Sequence, residues 1–471
     1  MILQLKLDKP TLYYSLIYSV LFCCSLICFY YTDNLQVLSF FVGIEILATL
    51  LFSLLKNRWY SFNFLFLLTS CFFIYNCIFF YIIANRNFLE QTFPTYYVIS
   101  KIGGERFLIS SAFSVFFINL FYNLFLSSGT SYIKKENVYF DKNIFKVGRF
   151  ILLLFLIPAL YKVYVQFKYL QVHGYQALFT GGLDLINYPF FCTGALTFFT
   201  CGYCLILSST PKFNLFLKYT LIFDFVYILN GLKGQRGPTI AVLLISLYIS
   251  VRYYSVKFNL KKIVVFIVFI VVLIIGLEKI RDGDVSNKTN KSISPYKAVE
   301  NMLFYQTTSR AVPLLVMSKN LEYHEYPFIF SPLTKYINQI IYPTKGQSRI
   351  SAEKYNNISA VTMVNVSMNS YLNGLGYGSA FLAEAYDFFG YFGVIIFSIL
   401  LSFLLYKFDS KTIQMKRIYI PLLYFVLVNL AILARGRIFG FLDYDKEIIC
   451  TLIVYMSSKN LKKNLKVQCN E

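Results

Sequence analysis

A short, basic, glycine-rich segment separates two long apolar runs and contains the first side chains suited to chemistry. Residues 231–238 read GLKGQRGP and include Lys233 and Arg236. So short a connection would hold both cations at a membrane surface, where the planar fork of an arginine matches phosphate oxygens. The glycines allow backbone N–H groups to approach an anion, and Pro238 suits the first turn of a helix. A tight turn with snorkelling cations is the alternative.

Further arginines lie on other connections that the charge pattern assigns to the same side of the membrane. Arg310 falls in a long loop, and Arg435 and Arg437 lie in the short RGR turn at 435–437. Cations are disfavoured on the outer side, so their retention in so short a turn suggests a role. We predict that Lys233, Arg236, Arg310, Arg435 and Arg437 bind a diphosphate. Contact with lipid headgroups is the simpler alternative.

A few acids and both histidines are the candidates for proton transfer. Glu384 and Asp387 follow a glycine-rich segment, and a carboxylate there could accept a proton from a sugar hydroxyl. Placement of acids at a helix N-terminus is the simpler explanation. His173 and His324 lie in outer loops, and either could act as a base. They are too scattered to form a zinc site, so we predict no metal and no cofactor.

Apolar helices must position these residues. The 471 residues are 57% hydrophobic and only 14% charged, with a mean hydropathy of +0.58. Continuous apolar runs predict an all-α polytopic membrane protein with about twelve spans rather than a β-barrel. The predicted spans are residues 11–31, 35–55, 62–84, 107–127, 150–167, 188–207, 215–229, 239–253, 263–277, 389–406, 418–434 and 438–457.

The distribution of Lys and Arg predicts that both termini are inside. The chain then divides into spans one to nine over residues 1–277, a large outer loop over 278–388, and the last three spans with an inner tail over 389–471. A loop of about a hundred residues is too long for a plain connector and suggests a lid or a small site-forming subdomain. The apolar run after the N-terminus is long for a signal peptide, so we expect a retained span.

The formal net charge of +21 does not indicate nucleic acid, because no basic domain interleaved with aromatic residues lies outside the spans. We attribute it to topology and to anionic lipid or pyrophosphate. Most of the ten cysteines lie in apolar runs, including Cys201 and Cys204, which have CxxC spacing. Buried cysteines usually act as small hydrophobes, so redox chemistry is not expected.

Several short motifs in this layout resemble those of Wzy-type O-antigen polymerases. They are GQRG at 234–237, GLGYGS at 374–379, AEAY at 383–386 and FGYFG at 389–393, with a long outer loop after the ninth span. The resemblance implies a GT-C-like glycosyltransferase in the bacterial inner membrane. Such enzymes transfer a growing glycan from undecaprenyl diphosphate to a lipid-linked repeat unit at the periplasmic face, without a nucleotide sugar.

The resemblance also implies roles for particular residues and partners. Arg236 matches the family arginine after the short outer turn and would bind the donor diphosphate. Arg310 and Arg435 are the next candidates, and Glu384 is the candidate base. The expected partners are the undecaprenyl-diphosphate-linked oligosaccharide and the lipid bilayer, with a chain-length regulator and a flippase as further candidates.

Other functions remain open at this point. An O-antigen ligase is the nearest, and an essential loop histidine would favour it, although the context of His324 does not match. A flippase or polysaccharide transporter would need charges lining a cavity within the spans. Glu45 and Asp224 do lie inside apolar runs, but we interpret them as helix–helix hydrogen-bonding groups. A receptor-like membrane protein is the last alternative.

Overall fold

The fold is built from apolar helices, and in the part of the chain that the structure describes seven helical segments are long and apolar enough to cross a membrane. The computed structural model describes residues 9–32, 34–57, 61–84, 86–91, 97–128, 140–233, 236–256, 265, 272, 309–318, 321–344, 346–411 and 420–468. The predicted span over 263–277 and the start of the predicted outer loop, up to 308, lie outside these residues apart from 265 and 272.

The helices of the first half of the chain are α1 Lys9–Tyr31, α2 Leu35–Asn57, α3 Phe62–Ser70, α4 Asn76–Ala84, α5 Lys101–Ser128, α6 Lys142–His173, α7 Ala195–Ser208, α8 Phe213–Gly231 and α9 Arg236–Arg252. A π-helical turn, Cys71–Tyr75, joins α3 and α4 into one span. Two-residue strands, β1 Glu90–Gln91 and β2 Tyr97–Val98, pair antiparallel before α5.

The later helices are α10 Ala311–Ser318, α11 Ser331–Ile341, α12 Arg349–Lys354, α13 Ile358–Val364, α14 Met368–Leu372, α15 Phe381–Lys411, α16 Ile420–Ala431 and α17 Asp445–Gln468. Four of them, α11 to α14, are short and fall between α10 and the long α15. All-α architecture in a multi-pass membrane protein is therefore confirmed, with α1, α2, α3–α4, α5, α6, α8 and α15 as the long apolar spans.

Several predicted spans differ in their bounds from the helices observed; α5 and α6, for example, begin at Lys101 and Lys142 rather than at 107 and 150. The helix predicted over 188–207 begins at Ala195, because Pro189 lacks an N–H donor and Gly194 adopts a left-handed conformation with φ +73°. The helix predicted over 438–457 begins at Asp445, after a 3₁₀ turn, Gly440–Tyr444. The helix predicted over 389–406 begins earlier, at Phe381, but kinks at its predicted start, where Gly390 has φ +58°.

The chain forms two compact units. The first comprises residues 1–133, 291–412 and 431–440. Within it α5 packs against α1, α2, α10 and α15. Asp409 near the end of α15 accepts hydrogen bonds from the Phe62 backbone N–H at 2.8 Å and from the Tyr122 hydroxyl at 2.7 Å. The carboxylate thereby satisfies a donor at the start of α3 and ties three helices together.

The second unit comprises residues 134–290, 413–430 and 441–471. Asp141 caps the N-terminus of α6 by accepting from two backbone N–H groups. Helices α6 and α7 approach so closely that a Cβ on Gly202 would lie 2.6 Å from the backbone nitrogen of Leu152. Contact at this range needs glycine, as at small-residue interfaces of membrane helices.

Candidate functional site

The short arginine-bearing turn after α16 is held by a buried carboxylate from α15. Glu384 is only 1% exposed. Its Oε2 accepts a hydrogen bond from the Ile438 backbone N–H at 2.8 Å, and its Oε1 accepts one from the Ser379 hydroxyl at 3.0 Å. Arg437 interacts electrostatically with the same carboxylate. Glu384 therefore holds the backbone of the turn in place, and both of its carboxylate oxygens accept a hydrogen bond.

Arg435 and Arg437 are half-buried within this turn. The turn is compact, because the Arg435 N–H donates to Ile432 and the Gly440 N–H donates to the Arg437 carbonyl, at 2.8 and 3.0 Å. The guanidinium carbon of Arg435 lies 5.8 Å from the ring centroid of Phe73. The face of this ring therefore helps to orient the guanidinium.

The glycine-rich segment at 374–379 runs beside this turn. Gly378 has φ +85°, and its N–H donates to the Ser359 hydroxyl at 3.1 Å. A Cβ on Gly378 would lie 3.9 Å from Arg435 Nε. The segment thus brings its own backbone next to the guanidinium, where a side chain other than glycine would be strained. Ser379 at its end reaches Glu384, so one carboxylate links the segment to the turn.

Arg310 lies behind the same segment. It is 3% exposed, and burial lowers the pKa of its guanidinium. Its charge acts on Tyr97, whose hydroxyl donates to Tyr377 at 2.8 Å. Burial raises the pKa of Tyr97 to about 12, with the hydrogen bond to Tyr377 and the charge of Arg310 opposing the rise. Tyr377 directly precedes Gly378, so the hydrogen-bonded tyrosine pair links the segment to the neighbourhood of Arg310.

A histidine–aspartate pair joins a loop to the helix of Glu384, because His324 lies in the loop before residues 328–330 and Asp387 lies on α15. Asp387 Oδ2 lies 3.0 Å from His324 Nε2 and accepts from the Phe328 backbone N–H at 2.8 Å. With Nε2–H donated to the carboxylate, Nδ1 carries the lone pair of the imidazole. The His324 side chain is 24% exposed, and Asp387 interacts electrostatically with Glu384. The pair therefore offers a partly accessible base near the turn.

Lys233 and Arg236 belong to the second unit. Lys233 is 6% exposed and donates from Nζ to Gln166 Oε1 at 2.6 Å. Burial, together with the charge of Lys162, lowers the pKa of its ammonium to about 8. Arg236 is the first residue of α9, and Pro238 lies in the first turn as the sequence predicts. The diphosphate roles of both cations stay predictions.

The first unit thus brings together four of the predicted site residues: Glu384, Arg310, Arg435 and Arg437. Sequence reasoning missed the pairing of His324 with Asp387 and the tyrosine contact behind the glycines. His324 and Asp387 are 63 residues apart, so no local spacing could have linked them. Among the described residues, no three His, Cys, Asp or Glu side chains lie close enough to hold a metal ion.

Comparison with known proteins gives one match that covers nearly the whole chain. The family model described as O-antigen polysaccharide polymerase Wzy matches residues 14–464. No curated protein and no solved structure matches the chain. The matched range includes most of both compact units and all the residues of the site.

Proposed function

Because the chain belongs to the O-antigen polysaccharide polymerase Wzy family, we propose that it transfers a growing glycan from undecaprenyl diphosphate to the non-reducing end of a lipid-linked repeat unit. The family and the apolar helices make it a multi-pass bacterial membrane protein and a glycosyltransferase-type polymerase of lipopolysaccharide biosynthesis. The proposed reaction takes place at the periplasmic face of the inner membrane, with both termini in the cytoplasm.

The observation that carries the proposal is the pair of half-buried arginines in a turn held by a buried glutamate. Arg435 and Arg437 project from a short turn whose backbone is bonded to Glu384. Preformed cations stabilise the charge that develops on a leaving diphosphate, and they need no reorganisation as the reaction proceeds. The two guanidinium groups would bind the donor diphosphate.

The chemistry forms one bond and breaks one. The oxygen of the acceptor hydroxyl bonds to the anomeric carbon of the donor glycan, and the bond from that carbon to the diphosphate oxygen breaks. Undecaprenyl diphosphate leaves with the electron pair, and the hydroxyl proton passes to a base. Cleavage of the bond between the glycan and the diphosphate drives the transfer, which is why no nucleotide sugar is consumed.

His324 suits the role of base better than Glu384 does. Glu384 is fully buried and uses both oxygens to hold neighbouring groups. His324 is partly exposed, and Asp387 orients its ring. A base must come within hydrogen-bond distance of the hydroxyl, which requires access. In this proposal Glu384 positions the arginines, His324 accepts the proton, and the catalytic role predicted for Glu384 becomes a positioning role.

We also propose roles for the other residues and partners that the sequence predicts. Arg236 and Lys233 contribute to diphosphate binding, on the grounds of their charge and their place in the GLKGQRGP connection. Arg310, buried behind the tyrosines, sets the local potential rather than touching phosphate. Residues 278–388 form the periplasmic loop between spans nine and ten. A flippase would supply the lipid-linked substrate, and a regulator would set chain length.

Ligation of finished glycan is the second candidate function. The His324–Asp387 pair favours it, because the resemblance to ligases implies a loop histidine. The family match favours the polymerase. Transport is less well supported, since the arginines and the glutamate gather at a turn and a helix start rather than along a channel.

A glycan ladder from bacterial cells separates these functions. Deletion of the chain should leave single repeat units on the lipid core, and complementation with wild type should restore long chains. Arg435→Ala and Arg437→Ala should each reduce long chains by about tenfold or more, the loss expected from removing a charge-assisted contact of about 1.5–3 kcal/mol. Arg349→Ala is the matched control, because Arg349 is exposed and pairs with Glu353.

Other patterns in the same experiment would overturn the proposal. Unattached lipid-linked polymer in the deletion strain would identify a ligase. A complete absence of repeat units at the outer face would identify a transporter. Normal ladders from both arginine variants would exclude the turn as the diphosphate site.

A further inference from the structure

One short helix of the first unit has its apolar face turned outward. Along α11, which is too short to cross a membrane, a helical projection at 100° per residue places every large apolar side chain in one arc of about 140°. Ile340 in this arc is 71% exposed. The other members are also exposed: Phe330, Leu333, Tyr336, Ile337 and Ile341. No charged residue lies on this arc.

The polar face of α11 is turned toward the protein. Ser331 is completely buried, and the Asn338 side chain donates to the Lys354 carbonyl. Thr334 and Lys335 are half-buried. A helix on the surface of a water-soluble domain does the opposite and buries its apolar stripe. The inverted arrangement is stable only where the surroundings of the outward face are apolar.

The outward face continues an apolar surface that already faces lipid. The ring of Phe330 lies 6.1 Å from that of Phe388 on α15, one of the long membrane-crossing helices. Phe389 at the kink is exposed as well, and beyond the kink exposed apolar side chains follow α15 at helical spacing: Phe392, Ile396 and Leu400. The face of α11 is therefore the end of a stripe that the bilayer must cover along α15.

We propose that α11 lies along the membrane surface with its apolar face in the hydrocarbon of the adjacent leaflet. Interfacial helices of this kind sink about 5–10 Å into the boundary between headgroups and acyl chains. Tyr336, at one side of the arc, lies at headgroup level, the depth at which amphipathic aromatic rings concentrate. Helix α11 thereby anchors residues 321–380 to the bilayer. This inference rests on the contacts of α11 and does not depend on the proposed function.

Fluorescence quenching by lipid tests the inference in the full chain. Trp59, the one tryptophan of the sequence, is first replaced by Phe, and Ile340→Trp then places a single reporter on the arc. The protein is reconstituted in phosphatidylcholine nanodiscs with plain or dibrominated acyl chains. Brominated chains should remove about half or more of the emission, because the reporter lies at acyl-chain depth. Gln339→Trp, one residue and about 100° away, is the control and should lose much less.

Iodide in the aqueous phase gives the reverse test. It should quench the reporter at Gln339→Trp and spare the one at Ile340→Trp. Strong iodide quenching of Ile340→Trp without a bromolipid effect would overturn the inference. Protection from both quenchers, with a dimer in solution, would assign the face to a second copy and overturn it too. Leu333→Trp repeats the measurement if Ile340→Trp yields no folded protein. The readout involves no glycan, so failure of the proposed function would not change it.

Discussion

A buried lysine, Lys233, makes the stability of the second unit depend on pH. Burial lowers the pKa of Lys233 from 10.5 to about 8. Between these pH values the folded protein has released a proton that the unfolded chain still holds. Stability therefore rises as pH increases from about 8 to 10.5, and the full cost of the buried charge is present below pH 8.

The size of this effect follows from the same two values. A lowering from 10.5 to about 8 corresponds to about 3 kcal/mol, at roughly 1.4 kcal/mol for each tenfold change in proton affinity. Lys233→Met cannot titrate, so the variant should lack this rise. Removing the lysine also leaves the Gln166 carbonyl without its donor, which costs about 1–3 kcal/mol at every pH. The pH slope, rather than the stability at one pH, is the diagnostic quantity.

The assay is thermal unfolding of the detergent-solubilised protein at stepped pH from 7 to 10.5. The difference in unfolding free energy between wild type and Lys233→Met should shift by about 3 kcal/mol toward wild type across this range. Lys168→Met, at a fully exposed lysine of the same unit, is the control and should show little slope. An equal difference at pH 7 and pH 10.5 would refute the reasoning. A Lys233→Met variant that is destabilised relative to wild type more at pH 7 than at pH 10.5 would also refute the reasoning.

Three further predictions concern the site and the helix packing. Glu384→Gln should lower stability by about 2 kcal/mol and shorten the glycan ladder, because an amide cannot accept from both of its present donors. Gly202→Val should prevent α6 and α7 from packing, at a cost of about 3 kcal/mol or more. Gly237→Ala should be mild, because its Cβ would meet no side chain or other element of the described residues within 4 Å. His324→Gln and Asp387→Asn should both slow transfer while leaving the affinity for the lipid-linked donor unchanged.

Each of these predictions has an outcome that contradicts it. A full ladder and normal unfolding in Glu384→Gln would show that the carboxylate does not hold the arginine turn. Equal stability of Gly202→Val and Gly237→Ala would contradict the close approach of α6 and α7. Wild-type transfer rates in His324→Gln would exclude the imidazole as the base and return that role to another group.

Hydropathy was sufficient to predict the long membrane helices. The runs at 11–31, 35–55 and 62–84 correspond closely to α1, α2 and α3–α4, because about twenty apolar residues have few alternatives to a membrane helix. The predicted helix boundaries were wrong where the backbone conformation of a single residue determines them. Gly194 delays α7, and Gly390 kinks α15, and neither effect is visible in hydropathy.

The sequence predicted which residues belong to the candidate site and on which side of the membrane they lie, but not which of them are in contact. The hydrogen bond that the Ile438 backbone N–H donates to Glu384 joins residues 54 positions apart. Contacts at this sequence separation leave no periodic pattern in the sequence. The burial of Arg310 was not predicted from the sequence either, because an arginine in a loop is usually solvated. The amphipathic pattern of α11 is present in the sequence, but only its packing reveals that the apolar face is the outward one.

Reconstitution of the purified chain tests the central claim most directly. The protein is placed in phospholipid vesicles with an undecaprenyl-diphosphate-linked repeat unit as the one glycan source and no nucleotide sugar. The account predicts lipid-linked products of two, three and more repeat units, with one undecaprenyl diphosphate released for each bond formed. It also predicts that Arg437→Ala makes far less product than Arg349→Ala. Vesicles that retain only the single repeat unit, with donor and wild-type protein both intact, would contradict the polymerase assignment.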